Sequence, residues 1–179
     1  MSKVILLGVT VGLCKDWEKK VPGPKTGHLK DPAKIEAKIE EWREGAMATA
    51  IGSRLATNIT EYVMVEDDKE ILKGTDVTEL FDTLVALADN PNEVTVFCFD
   101  ARTRISQVAF EERKKGKKVP LWMWMKDVFT PKGLTIVDPI HNMILSSEDM
   151  DQFCIEAGIT PHTGDDCLNT QIAKLKSLY

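Results

Sequence analysis

Val4 to Cys14 reads VILLGVTVGLC, an almost unbroken apolar and β-branched run. It is too short to cross a bilayer, and it contains Gly8, Thr10 and Gly12 without a convincing cleavage site for a leader peptide. A run of this kind predicts a central strand covered on both faces. That one feature points to a sheet with layers on either side, and the rest of the chain reads accordingly.

Lys15 to Lys30 is polar and rich in Pro, Gly and Lys, the composition of a loop. Asp31-Pro32 then opens a helix, with Asp as N-cap and Pro at the first helical position, where its missing N–H is harmless. Ile35, Ile39, Trp42 and Ala46 form one apolar stripe along it. Asn58 to Val65 predicts a second strand, closed by the acidic turn Glu66-Asp67-Asp68. Asp76 with Glu79 forms a capping box before Val77, Leu80, Phe81, Leu84 and Leu87, and Asn90-Pro91-Asn92 breaks that helix.

Val94 to Phe99 is a short strand ending on Asp100, Arg102 to Lys115 a helix with Ile105, Val108 and Ala109 inward, and Leu134 to Val137 a strand ending on Asp138-Pro139. Ser146 to Ala157 predicts a helix stopped by Gly158, and Leu168, Ile172 and Leu175 mark a last one. No repeat or linker stands out, so residues 1–179 read as a single α/β domain, a mixed sheet flanked by helices.

The formal net charge of −5 argues against a general basic coat but leaves room for a local basic patch. Cys14, Cys98, Cys154 and Cys167 have no metal-binding spacing and read as free thiols, the usage of a reducing, cytoplasmic compartment. No membrane segment is expected.

Carboxylates at strand ends are the residues most able to carry chemistry, because ligands of open α/β sheets gather beyond the carboxyl ends of strands. Asp100 and Asp138 hold such places, although an Asp there also serves as a turn former or helix cap. Asp16-Trp17-Glu18 points two carboxylates to one side of an extended segment, with Lys15, Lys19 and Lys20 as neighbours that favour plain solvation. His162 stands beside Asp165 and Asp166 at the mouth of the last helix. Two hard divalent cations need several such oxygen ligands, and a histidine suits the deprotonation of an attacking water.

His162-Thr163-Gly164-Asp165-Asp166-Cys167-Leu168-Asn169 resembles the last motif of the DEDD 3′–5′ exonuclease superfamily, and Val96-Phe97-Cys98-Phe99-Asp100 resembles its second motif. Val21 to Ala46, with Leu29-Lys30-Asp31-Pro32-Ala33-Lys34-Ile35, is similar to a helical insertion between the first two strands of phage-type exonucleases related to the proofreading domain of family B polymerases. Val119 to Trp122 and Ile136 to Asp138 resemble a later segment of the same proteins.

The resemblance implies a ribonuclease-H-like fold and a site holding two Mg²⁺ or Mn²⁺ ions that removes nucleotides from a 3′ end. It implies Asp16, Glu18, Asp100 and Asp166, with Asp165, as metal ligands and His162 as base. Two departures stand out. The first strand carries no carboxylate, so either Gly8 and Thr10 fill the first-motif positions and the site is silent, or Asp16 and Glu18 fill them from the strand's end. The interval from His162 to Asp166 is one residue shorter than usual.

Arg113-Lys114-Lys115-Gly116-Lys117-Lys118 is the densest basic run, and Trp122 follows closely. Lys and Arg on phosphates with Trp stacked on bases would suit single-stranded DNA or RNA; the alternative is a solvated helix end before a core segment. The expectations are therefore a metal-dependent exonuclease or, in its place, a silent exonuclease-fold module that binds nucleic acid or a host protein.

Overall fold

The computed structural model describes residues 3–51, 53, 55–90, 92–123, 134–139 and 167–178. The elements, in chain order, are β1 (Lys3–Leu13), α1 (Pro32–Ile51), β2 (Thr57–Glu66), β3 (Lys69–Gly74), α2 (Val77–Ala88), β4 (Val94–Cys98), α3 (Ala101–Lys114), β5 (Leu134–Val137) and α4 (Leu168–Leu178). Two 3₁₀ turns, Trp17–Lys20 and Leu121–Met123, are the other elements among the described residues. Of the expected helices, the one over Ser146 to Ala157 lies outside the described residues.

The five strands form one sheet in the order β3-β2-β1-β4-β5. β1 runs parallel to β4, with Lys3 opposite Val94 and Leu7 opposite Cys98, and β4 runs parallel to β5. β2 and β3 are antiparallel. Along β1 partner numbers on β2 fall as the strand advances, since Thr10 meets Thr60 and the Cys14 N–H meets the Ala56 carbonyl. That pairing is antiparallel too. A mixed sheet of this order in an α/β chain is compatible with a ribonuclease-H-like arrangement.

The chain divides into two compact units. One comprises Met1–Thr10 and Ile59–Tyr179; the other, Val11–Asn58, interrupts it in sequence. In the first unit the pleat sorts side chains between two layers. Leu6 of β1, Val63 and Val65 of β2, and Phe99 beyond β4 pack with Leu168, Ile172 and Leu175 of α4. On the opposite face, Tyr62 of β2 sends its hydroxyl to the Asp76 carbonyl at 2.8 Å and to Glu79 at 3.1 Å, tying the sheet to the start of α2. Leu80, Leu84, Ile105 and Val108 of α2 and α3 are fully buried.

α2 begins as expected at Asp76, whose Oδ1 accepts from the Thr78 N–H at 3.0 Å. The reciprocal half of the capping box is not made, because Glu79 is taken by Tyr62. In the second unit α1 starts at Pro32, with Asp31 Oδ1 accepting from the Ala33 N–H at 3.0 Å. Its stripe is only partly covered: Ala46 is buried, while Ile35, Ile39 and Trp42 are half-buried. Among the described residues, no helix is long and apolar enough to cross a membrane.

Candidate functional site

In the larger unit the chemistry-bearing positions converge where β1 outruns β4. The ladder between these strands ends at the Leu7–Cys98 pair, and β4 turns through Phe99 and Asp100 into α3. Beyond that point no strand among the described residues pairs with the edge of β1 facing β4. The Gln171 side chain of α4 replaces it: Oε1 accepts from the Val9 N–H at 3.1 Å, and Nε2 donates to the Val9 carbonyl at 2.9 Å. A side-chain amide thus supplies both bonds that a neighbouring strand would, and Gln171 is 1% exposed. Buried backbone groups need such partners, so the contact fixes α4 against β1.

Gly8 lies in the same place, on the face of β1 that α4 covers. A Cβ there would stand 3.4 Å from Leu168 Cδ2 and 3.4 Å from Val63 Cγ1, both apolar. Thr10, two residues on, shares its hydroxyl with Thr60 at 2.7 Å and reaches the Glu61 carbonyl at 3.4 Å. The centre of this end of the sheet therefore presents a glycine, a hydroxyl and an amide.

Asp100 stands at the carboxyl end of β4, as the sequence predicts. Its backbone is left-handed, with φ 50° and ψ 39°, a conformation uncommon for a residue other than glycine, and its side chain makes no capping bond to α3. The cap comes instead from the neighbouring strand: Asp138, at the end of β5, accepts from the Ala101 N–H at 3.0 Å. Asp138 is 3% exposed, so this strand-end carboxylate does structural work at the start of α3. Cys98 lies beneath, fully buried. Burial, and then the charge of Asp138, pushes its thiol well above the ordinary range, which leaves it inert as a nucleophile.

Asp16 and Glu18 belong to the Val11–Asn58 unit, both exposed. Asp16 lies 3.9 Å from Lys20. Glu18 accepts from Arg43 Nε at 3.1 Å, and the same guanidinium reaches Glu40 at 2.9 Å. Beside them Trp17 and Trp42 lie nearly parallel, 13° between planes and 6.3 Å between centroids, and Trp42 Nε1 donates to the Pro22 carbonyl at 2.8 Å. His162, Asp165 and Asp166 lie outside the described residues. Among the described residues, no group of three or more His, Cys, Asp or Glu side chains is placed to hold a metal ion.

The basic run is partly neutralised by its own neighbours. Lys115 Nζ contacts the buried Glu112 at 3.0 Å and Thr78 at 2.9 Å. Lys117 reaches Asp82 at 3.3 Å and Glu112 at 3.5 Å, and lies 5.3 Å from the Phe81 ring centre. Lys114 covers the Phe110 ring at 4.4 Å. Arg113, Lys114 and Lys118 stay exposed, and Trp122 is half-buried in its 3₁₀ turn. Two of the run's five cations therefore bind α2 to α3.

Gln171 is the residue of this region that sequence reasoning passed over. It sits one position before Ile172 on a helix stripe, and nothing in the spacing separates it from a surface glutamine. Compared with family models, curated proteins and solved structures, the chain has no significant match.

Proposed function

We propose that this protein is a catalytically silent exonuclease-fold module that holds single-stranded nucleic acid without cleaving it. The observation that carries the reading is the pairing of Gly8 with Leu168 and of Val9 with Gln171. In the register that puts Gly8 and Thr10 at the first-motif positions, those contacts support a site without that motif's carboxylates. A metal ion of this type needs several oxygen ligands converging from separate elements. Gly8 and Thr10 offer one hydroxyl between them, and that hydroxyl already bonds Thr60.

The rival reading is a Mg²⁺- or Mn²⁺-dependent 3′–5′ exonuclease with Asp16, Glu18, Asp100 and Asp166, or Asp165 in its place, as ligands and His162 as base. It draws on the position of Asp100 at the end of β4. Against it, Asp16 and Glu18 are solvated and ion-paired with Lys20 and Arg43.

The test is incubation of a 5′-labelled single-stranded oligonucleotide with the protein in Mg²⁺ and in Mn²⁺, beside an Asp100→Ala variant. The expected result is an intact oligonucleotide that the protein nevertheless retards. A ladder shortening from the 3′ end, lost in Asp100→Ala, would establish the exonuclease instead. An oligonucleotide neither cut nor bound would remove nucleic acid from the account and leave a protein partner.

A further inference from the structure

Gly45 stands deep within α1, a 20-residue helix. Glycine there costs about 0.5–1 kcal/mol relative to alanine, and close packing does not call for it, because a Cβ at Gly45 would have nothing within 4 Å. The space above it is a groove of about 510 Å³. Its walls are the Val21–Lys25 segment and the α1 face carrying Lys38, Glu41, Trp42, Gly45 and Thr49. That volume lies in the range (~300–1,000 Å³) of sites that take small organic groups. Trp42 is held by its stack on Trp17 and its bond to the Pro22 carbonyl, so its ring is fixed before anything binds.

Charge selects the occupant. From Val11 to Asn58 nine Lys and Arg stand against seven Asp and Glu, an excess of two positive charges within a chain of net −5. Lys15, Lys19, Lys25, Lys30 and Lys34 are exposed and enter no ion pair among the described residues. Lys25 and Lys38 flank the groove; Lys38 meets Glu41 at 3.5 Å across an exposed gap that solvent screens. Lysines beside a fixed aromatic suit a single strand, with phosphates on the cations and a base on the ring.

We infer that this groove is the single-stranded nucleic-acid site, with a base seated over Gly45 beside Trp42 and flanking phosphates on Lys25 and Lys38. The assignment rests on the reading of the chain as a nucleic-acid-binding module. It gives binding to these residues and not to the Arg113–Lys118 run.

The test is binding of a labelled oligothymidylate, followed by anisotropy across a salt series, to the unaltered chain and three variants. Gly45→Leu projects a side chain into the groove from a position whose Cβ meets nothing within 4 Å, and it raises helix propensity; it should weaken binding about tenfold or more with an unchanged or higher melting temperature. Lys25→Gln with Lys38→Gln should lower the log–log salt slope by about 1.4, ~0.7 for each phosphate released. Arg113→Gln with Lys114→Gln and Lys118→Gln should bind as the unaltered chain does. Binding that survives both groove variants overturns the assignment alone, whereas no binding by the unaltered chain overturns it together with the reading beneath it. A poly-glutamate peptide that competes as well as the oligonucleotide would give the groove to acidic protein segments instead.

Discussion

Gln171 and Gly8 decide what the centre of the sheet can do, and each makes a prediction of its own. Replacing Gln171 by Leu leaves the Val9 N–H and carbonyl buried without partners, so the urea midpoint should report a loss of about 2–4 kcal/mol. Gln171→Glu is more telling. The ionised carboxylate can accept from Val9 N–H but sets a second oxygen against the Val9 carbonyl; protonated, it can donate there. Its folded pKa should therefore lie above the unfolded value near 4.3, and the variant's stability should fall as pH rises from about 4 to 7. A loss equal at both pH values would show that Nε2 contributes nothing to the clasp. Gly8→Asp sets a carboxylate against Leu168 and Val63, 3.4 Å from each at its Cβ, and should cost about 2–4 kcal/mol by the same measurement. A stable, folded Gly8→Asp protein would mean that α4 can yield at this point and that the first-motif position is open to a ligand.

At the level of elements, the hairpin joining β2 and β3 is the joint least matched to its backbone. Asp67 and Asp68 have φ of 48° and 61°, the positive values that a two-residue primed turn demands, yet neither is Gly or Asn. Asp67→Asn with Asp68→Gly should raise stability by about 0.5–1 kcal/mol in denaturant unfolding. Asp68 also bonds Lys176 at 2.8 Å, which holds its carboxyl below the usual range, but that pair is exposed and weak. The tie between β2 and α2 gives an alkaline signature. Burial, and then the bond to Glu79, pushes the Tyr62 phenol up to about 12. A phenol raised in the folded state stabilises fully below its unfolded value near 10, and that contribution is lost as pH climbs from about 10 to 12. The difference in stability between the native chain and Tyr62→Phe should therefore be constant up to pH ~10 and shrink above it; a constant difference throughout would show that Tyr62 keeps no hydroxyl bond in solution. Most of the elements were legible because their signals are local: the β-branched run of β1, the Asp31-Pro32 start, the Asp76 cap and the β5 segment Leu134–Val137. β3 was not. KEILKG is an edge strand with mostly exposed side chains, so no buried face imposes alternation, and its lysines serve to keep the edge solvated. The candidate site was legible at Asp100 and Asp138, since a strand ending on Asp is visible in sequence, and at Gly8 and Thr10 through the resemblance. The Gln171 clasp joins residues 162 positions apart, and the groove over Gly45 depends on where the Val21–Lys25 segment lies.

For the whole molecule, the division into two units makes the Val11–Asn58 segment an experiment that the chain itself suggests. The chain leaves β1 and re-enters β2 at adjacent points, because the Cys14 N–H bonds the Ala56 carbonyl at 2.8 Å. Those two residues can be joined by an Asn-Gly turn in place of residues 15–55. The cluster uniting sheet and last helix, Leu6, Val63, Val65, Phe99, Leu168, Ile172 and Leu175, draws no residue from the deleted part. Loop-closure entropy also favours the shorter connection. The shortened protein should keep a cooperative urea transition and its near-ultraviolet dichroism, while oligonucleotide retardation disappears. Retained retardation would return the nucleic-acid contacts to Arg113, Lys114 and Lys118. Loss of the cooperative transition would show that the larger unit's core depends on the interrupting segment, a dependence that its hydrophobic cluster does not require. The two readouts are separable, and together they distinguish an insertion that carries the binding function from one that completes the fold.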